Sequence, residues 1–449
     1  MWGQNAMPAT VVGPTFAGSQ STTIPTIGTR PSWPSKAPSE RAAWLVSVRT
    51  EEDIVNAVLA ARDAGRTVRA VGSFGSKNTC FRTTGAALRM ARYDRIVTLD
   101  DNRVEAQAGV TIRDLNATLA KRGLTIPTQG EWLGATVAGA VATGVHGGSS
   151  MHGILATSVA ALRLVLADGT AVTLTPEDDL FAQAAVSLGT LGITSTVTFE
   201  CVEQFYLELV SEVIPFRKYV KDLAPLTKEN EFFSAIWVPT ADRVVTFRAN
   251  RVATQSRIVP RRQRYSFASL ALSSLSRRLN INAISNRVFA HRAVDTADRI
   301  LTPIGGTSRH VRLMRALSRS WREAEFAVPL ERAGAALEEL SALLSRHRHA
   351  LRIPVGLRSS PADDFTLSPC YDRDTFWLAV FYRDDNGLSG ELTDLFEEHG
   401  ARSHWGKHVD LHPHYLRAQF PHWDHFAAAH RRLDPAGTFT NAFTRRFAL

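Results

Sequence analysis

Three groups of residues in this sequence have the types and spacing to do chemistry. The first is the loop Gly72-Ser73-Phe74-Gly75-Ser76, which follows the apolar run Thr67–Val71 and is flanked by Arg69 and Lys77. Its main-chain N–H groups can form a concave nest for phosphate oxygens. It has neither a Gly-Lys-Ser/Thr run nor a third glycine opening a helix, so it is not a Walker loop or a dinucleotide fingerprint, and an ordinary turn is the competing reading. The second is Gly139 to Gly148, where tiny residues alternate with β-branched ones up to His146-Gly147-Gly148. Small side chains let the main chain approach a flat ligand closely, although the same composition serves helix-to-sheet packing equally well.

The third group is charged. Lys407 is one of only seven lysines in a chain with 45 arginines. Glu131, Glu325, His404 and His408 are the candidates for a general base, a role that needs hydrogen-bond reach and a tuned pKa. Seven of the fourteen histidines lie between His404 and His430. The spacing of His404 and His408 would align two imidazoles on a helix, but Gly406 and Pro413 break helicity and no acid completes a metalloprotease motif, so no metal is expected.

The elements that must position these groups follow from capping and periodicity. Thr50 followed by Glu51-Glu52-Asp53 predicts a capped helix with its apolar face on Ile54, Val55, Ala57, Val58 and Ala61, ending at Gly65. Short strands are expected at 67–71, 96–99 and 103–108, and a second helix over 112–121. Leu162–Leu166 and Ala171–Leu174 around Asp168-Gly169 read as a hairpin. Glycines recurring from Gly134 to Gly192 suggest strands crossing near a ligand, and the composition shifts after Glu200. Residues 1–36, rich in Thr, Pro, Gly and Ser, read as a disordered leader.

At 449 residues, 44% hydrophobic and 21% charged, the chain suits two domains. No apolar run reaches eighteen residues and no secretion signal opens the sequence, so a soluble, cytoplasmic protein is expected. Three scattered cysteines agree with a reducing compartment. The charge of +9 is local: Arg251 to Arg322 holds fifteen arginines, no lysine and two aspartates. A solvated face explains that stretch best, with a lipid surface or an anionic group as the lesser reading; no nucleic-acid module accompanies it.

The ordered set Arg69-Ala70-Val71-Gly72-Ser73, Thr136–Gly139 through His146-Gly147-Gly148, His152-Gly153, Leu188–Ile193, Leu367-Ser368-Pro369, His404-Trp405-Gly406-Lys407 and Asp434-Pro435 resembles the vanillyl-alcohol-oxidase-like (PCMH-type) FAD flavoproteins, in their aldonolactone oxidase branch. The resemblance implies an α+β, two-domain fold: an FAD-binding domain at 37–203, an antiparallel-sheet substrate domain capping the flavin at 204–400, and a segment at 401–449 completing the first. It further implies that Arg69, Val71 and Gly72 to Ser76 (Gly72, Ser73, Phe74, Gly75, Ser76) wrap the pyrophosphate. Gly130, Thr136, Gly139, Gly144, His146 and Gly147 line the flavin, Gly192 and Ile193 hold the adenine-ribose side, and Lys407 faces the reactive end of the ring. There a cation stabilises the reduced, anionic flavin.

Three departures from the family pattern carry expectations. Many relatives have a histidine at the position of Gly75 that bonds to the flavin, so FAD is expected to be non-covalent here unless a group such as Cys80 substitutes. Sugar-oxidising relatives carry Glu-x-Arg where this chain reads Gly356-Leu357-Arg358, which keeps the arginine and loses the carboxylate. Glu131 stands where relatives tend to have a small hydroxyl residue and is the first candidate to replace it, while Gly130 favours oxidase behaviour. The expected activity is oxidation of a carbinol C–H on a polar, sugar-like or natural-product molecule, with Arg358, Glu131, His404 and Lys407 as catalytic groups and O2 or another acceptor. The alternatives are a dehydrogenase or redox epimerase of a phosphorylated or lipid-linked sugar, and a protein that uses flavin without net redox change.

Overall fold

A computed structural model describes residues 42–252, 322–347, 354–382 and 387–449. The expected leader and nearly all of the arginine-rich stretch lie outside the described residues.

The first helix is Glu51–Asp63, and its N-terminus is fixed by a capping box: the Asp53 N–H donates to the Thr50 hydroxyl at 3.2 Å and the Thr50 N–H to the Asp53 carboxylate at 2.9 Å. Ile54, Ala57, Val58 and Ala61 are its buried face, packed with Phe439 from the far end of the chain in one apolar cluster. Three parallel strands lie beside it in the order β1 (Trp44–Ser47), β3 (Ala86–Arg89), β2 (Val68–Val71). A second, antiparallel sheet runs β4 (Ile96–Asp100), β5 (Arg103–Gln107), β9 (Ile193–Glu200), β7 (Val159–Val165), β8 (Ala171–Leu174). Its β7–β8 hairpin turns at Gly169, φ 86°, a left-handed angle that glycine adopts freely. A small pair joins β6 (Leu124–Thr125) to β10 (Val202–Glu203).

Residues after 205 build a seven-stranded sheet in the order β11 (Tyr206–Pro215), β13 (Arg243–Val252), β12 (Phe232–Val238), β15 (Val355–Ser360), β16 (Thr375–Tyr382), β14 (Arg322–Pro329), β17 (Arg402–Ser403). Alternation along these strands gives the sheet two chemically different faces. One carries Trp237, Leu357, Leu378 and Phe326 into the core, where the helix Ala333–Arg346 supplies Leu337, Leu340 and Leu344. The other carries Glu323, Glu325, Trp377 and Arg358, and turns toward the loops that precede β7.

The loop after β15 holds a titrating group. Asp363 accepts from the Ser368 hydroxyl at 2.6 Å and the Phe365 N–H at 3.1 Å, yet burial dominates and pushes its carboxyl up to about 6. A carboxyl raised on folding contributes stability below its unfolded value of 3.8 and loses it as the pH rises through about 6. Between pH 4 and 7 the unfolding free energy of the wild type is therefore expected to fall by about 2 kcal/mol more than that of Asp363→Asn. Urea titrations across that range check it, and parallel curves for the two proteins would refute it.

Candidate active site

The glycine loops pack closely against neighbouring side chains, Thr136 and Trp132 foremost. In the 72–76 loop Phe74 has φ 56°, a left-handed angle that is costly for a bulky residue. The glycines on either side are obligatory through packing. A Cβ on Gly72 would lie 2.4 Å from the Thr136 hydroxyl oxygen, and one on Gly75 would lie 1.9 Å from the indole ring of Trp132. A Cβ on Gly130 would meet Val145 at 2.5 Å and one on Gly147 the Thr128 hydroxyl at 2.9 Å. Thr136 is the N-cap of a six-residue helix, Val137–Ala142, whose Val137, Ala140 and Val141 are buried; Gly144 then reverses the chain with φ 65°. The second glycine run thus combines helix-to-sheet packing with a bare loop.

Arg69 has a structural task. Its terminal nitrogens donate to the carbonyls of Cys80 (2.7 Å), Gly189 (2.9 Å), Phe439 (2.7 Å) and Leu188, and burial lowers its pKa to about 10. It pins the first glycine loop to the turn before β9, where Leu188 and Gly189 both have left-handed angles. Gly192 sits so close to β7 that a Cβ would lie 2.9 Å from the Val165 carbonyl oxygen, while the Ile193 side chain joins the core around the first helix. Val71, at the end of β2, is buried.

A second cluster collects charged groups from five segments far apart in sequence. Arg358 on β15 pairs with Glu131 and lies 3.9 Å from Glu325 on β14. Glu325 also meets His146 Nε2 at 3.2 Å and Lys407 Nζ at 3.8 Å. Glu323, two residues earlier on the same face, pairs with Lys407 and with Lys77 Nζ at 3.3 Å. His146 lies flat on Trp377, ring centroids 3.7 Å apart, with its Nδ1 facing the Gly147 carbonyl at 2.8 Å. The main chain of β14 fixes the facing segment: the N–H groups of His404 and His408 donate to the carbonyls of Glu325 and Glu323, each at 2.9 Å. The two clusters are joined by Lys77 N–H to the Gly406 carbonyl at 2.8 Å and by the Asn78 amide, which donates to the Trp405 and Lys407 carbonyls at 2.6 Å each.

Burial alone would raise the two β14 carboxyls, but opposite charges outweigh it. Lys407 and then Lys77 hold Glu323 below the usual carboxylate range, and His146 and Lys407 hold Glu325 well below it. Burial likewise works against the charge on Lys407, and Glu323 and Glu325 overcome it to raise its pKa. At His404 burial wins: it takes the imidazole down to about 3 although Glu325 pulls the other way, and the Nδ1 lone pair accepts the Gly406 N–H at 2.9 Å. A neutral imidazole with that lone pair engaged carries its proton on Nε2. His146, Glu325 and His404 have ligand atoms within 4.8 Å of one another and form the one metal-capable trio among the described residues. With the His404 lone pair spent, this trio lacks a third ligand and does not suit a metal.

Of the residues singled out from the sequence, Glu131, His146, Glu325, Arg358, His404 and Lys407 come together in the charged cluster, whereas Ile193 joins the core around the first helix and His412 and His430 face Glu397 and the Thr190 carbonyl away from it. Sequence reasoning missed Glu323, for which the Glu323-Ala-Glu325 alternation on a strand was the available signal, and read Lys77 only as a flank of the first glycine loop, not as a partner of Glu323. Arg251, at the start of the basic stretch, pairs with Glu231 at 2.7 Å, and Arg322, at its end, pairs with Asp410.

A glycine-lined nest followed by a charged face on a capping sheet defines an FAD-dependent oxidoreductase of the PCMH type, and the comparisons agree. Residues 42–175 match the FAD binding domain family and residues 197–447 the D-arabinono-1,4-lactone oxidase family. The L-gulono-1,4-lactone dehydrogenase of Mycobacterium tuberculosis is 30% identical over 92% of this chain and 98% of its own. The L-gulonolactone oxidase of Mus musculus is 28% identical over 87% of this chain and 92% of its own. Among solved structures, a solvent-stable cholesterol oxidase superposes with a TM-score of 0.75 at 17% identity, covering 90% of this chain and 94% of that one, which speaks for the fold alone. The chain belongs to the D-arabinono-1,4-lactone oxidase family of FAD-dependent flavoproteins.

Proposed function

We propose that the protein oxidises a secondary carbinol on a sugar-like lactone or a related polar molecule, with O2 as the acceptor. The observation that carries this reading is the meeting of Arg358, Glu131, Glu325 and Lys407 on the face of the capping sheet turned toward the glycine loops. The loops that hold FAD are those of Arg69, Val71–Ser76, Thr136, Gly139, Gly144, Gly192 and Ile193, with Gly130, His146 and Gly147 on the flavin side. Bound FAD supplies the acceptor for the hydride. Lys407 would supply a fixed cation to the reduced ring, and its charge is secured by Glu323 and Glu325.

The carbinol must lose its hydroxyl proton as the C–H bond breaks. Glu323 and Glu325 are held too acidic to take it, and the His404 lone pair is already engaged. Glu131 is left: its side chain is 56% exposed, and it pairs with Arg358, the arginine two residues beyond Gly356. In this reading Arg358 orients the substrate oxygen, Glu131 accepts its proton and passes it to solvent, and His404 donates from Nε2. Anaerobic mixing with L-gulono-1,4-lactone should bleach the flavin, and Glu131→Gln should slow the bleaching about 10²-fold or more while binding is retained. An unchanged bleaching rate in Glu131→Gln would remove Glu131 from this role.

Non-covalent attachment belongs to the same reading. Trp132 fills the space beside Gly75, and the buried Cys80 thiol is pushed up by burial, away from reactivity. Acid precipitation should leave yellow supernatant and a colourless pellet; flavin retained in the pellet would overturn this. No described helix is long and apolar enough to cross a membrane, and three buried free thiols support a reducing, cytoplasmic setting.

A further inference from the structure

The glycine at 356 differs from the others at the site. At Gly72, Gly75, Gly130 and Gly148 another protein atom stands within 2.5 Å of the missing Cβ, so those glycines are required by packing. A Cβ on Gly356 would meet only the Ala379 Cβ, at 3.4 Å, and its φ is not left-handed. Neither the backbone nor a neighbouring side chain explains why this position is bare.

Strand register shows what lies around it. Glu325, Ala379, Gly356 and Ile236 are direct partners on β14, β16, β15 and β12, so all four project from one face of the sheet. Phe381, the partner of Glu323, lies two residues along from Ala379 on that face. Gly356, Ile236 and Phe381 are half-buried, and Ala379 floors the row beside the Glu325 carboxylate. With strands about 4.8 Å apart, the row runs about 14 Å from the charged cluster at Glu325 to the side chain of Ile236. One end is therefore charged and hydrogen-bonding, and the rest is apolar and shallow.

We infer that this row is the specificity trough for the apolar part of an amphiphilic substrate: a hydroxylated ring whose reacting carbinol lies at Arg358 and Glu131, joined to an alkyl or aryl substituent lying over Gly356, Ala379, Ile236 and Phe381. The inference rests on the oxidoreductase reading above and names its substrate class. A simple polyol or free lactone leaves the apolar floor wet, whereas an acyl or aryl group removes it from water and gains binding with each methylene covered.

The test compares L-gulono-1,4-lactone with its 6-O-hexanoyl ester on the holoenzyme, reading dissociation constants from the perturbation of the bound flavin spectrum and turnover from bleaching. The ester is expected to bind at least about tenfold more tightly than the parent lactone. In Gly356→Leu, which fills the trough, that preference should fall to about twofold or less. Ile236→Asn, which wets the far end without adding bulk beside the charges, should cut it by at least about half. Equal or weaker binding of the ester to wild type, no perturbation by either compound, or a preference that survives both substitutions overturns the trough. Bleaching by neither compound, with the binding preference intact, sinks the oxidation reading instead and leaves the trough standing.

Discussion

Lys407→Met is expected to lower kcat/KM by about 10²- to 10³-fold, the usual cost of removing one preorganised group that stabilises charge developing in the reaction. It should also destabilise the fold. Removing one partner of a buried ion pair leaves the other charge uncompensated, at about 3–5 kcal/mol in general, and the lower end applies because Lys77 still faces Glu323 and His146 still faces Glu325. The pH dependence separates the two effects. Glu323 and Glu325 are depressed on folding, so the stability they contribute is present above the unfolded carboxyl value of 4.5 and is lost as the pH falls through their folded values. The melting-temperature gap between wild type and Lys407→Met should therefore be full at pH 7 and close in acid, while the loss of turnover persists wherever both proteins are folded. Lys407→Arg, which keeps the charge, should recover stability better than turnover, because a planar fork does not reproduce a point cation. A variant within threefold of wild-type kcat/KM would show that the cation is a strut for the two glutamates and nothing more.

Local chemistry made much of this site legible in the sequence, and long-range pairing hid the rest. Thr50 and Asp53 announce the first helix because a capping box is a contact between neighbours in sequence. The same holds for the turn at Asp168-Gly169, where the Thr170 N–H donates to the Asp168 carboxylate at 2.8 Å. The short helix Val137–Ala142 is less visible, since Gly139 and two valines in six residues carry little helical propensity, and Thr136 at its cap makes no side-chain cap bond. Lys77, Glu323 and Lys407 lie far apart in the chain, and nothing local marks the meeting of the two lysines on Glu323. Gly75 illustrates the reverse case. The absence of a side chain was plain, but its physical cause, the ring of Trp132 standing in that space, belongs to the fold. Glu131 stood out through the resemblance, as an acid where relatives tend to have a small hydroxyl residue, and only the geometry shows that it pairs with Arg358.

Gly356→Glu is expected to raise kcat/KM on L-gulono-1,4-lactone by about tenfold or more. A carboxylate two residues before Arg358 projects from the same strand face and can pair with the guanidinium, and a hydrogen bond to a charged group contributes about 1.5–3 kcal/mol. The substitution is sterically feasible because its Cβ meets only the Ala379 methyl, at 3.4 Å, which gives way by a few tenths of an ångström. The new carboxylate competes with Glu131 for Arg358, so the two positions should be coupled and not additive. In the Glu131→Gln background Gly356→Glu should restore most of the lost turnover on the lactone, since a second acid then stands within reach of the same hydroxyl. On the 6-O-hexanoyl ester the effect should reverse, because a charged side chain now occupies the apolar floor and must be desolvated when the acyl chain binds. A double-mutant cycle measured on both compounds decides the matter. Additive effects of the two substitutions would mean that Glu131 and residue 356 do not share Arg358, and a gain on both compounds alike would mean that the space over Gly356 is not where the substituent lies.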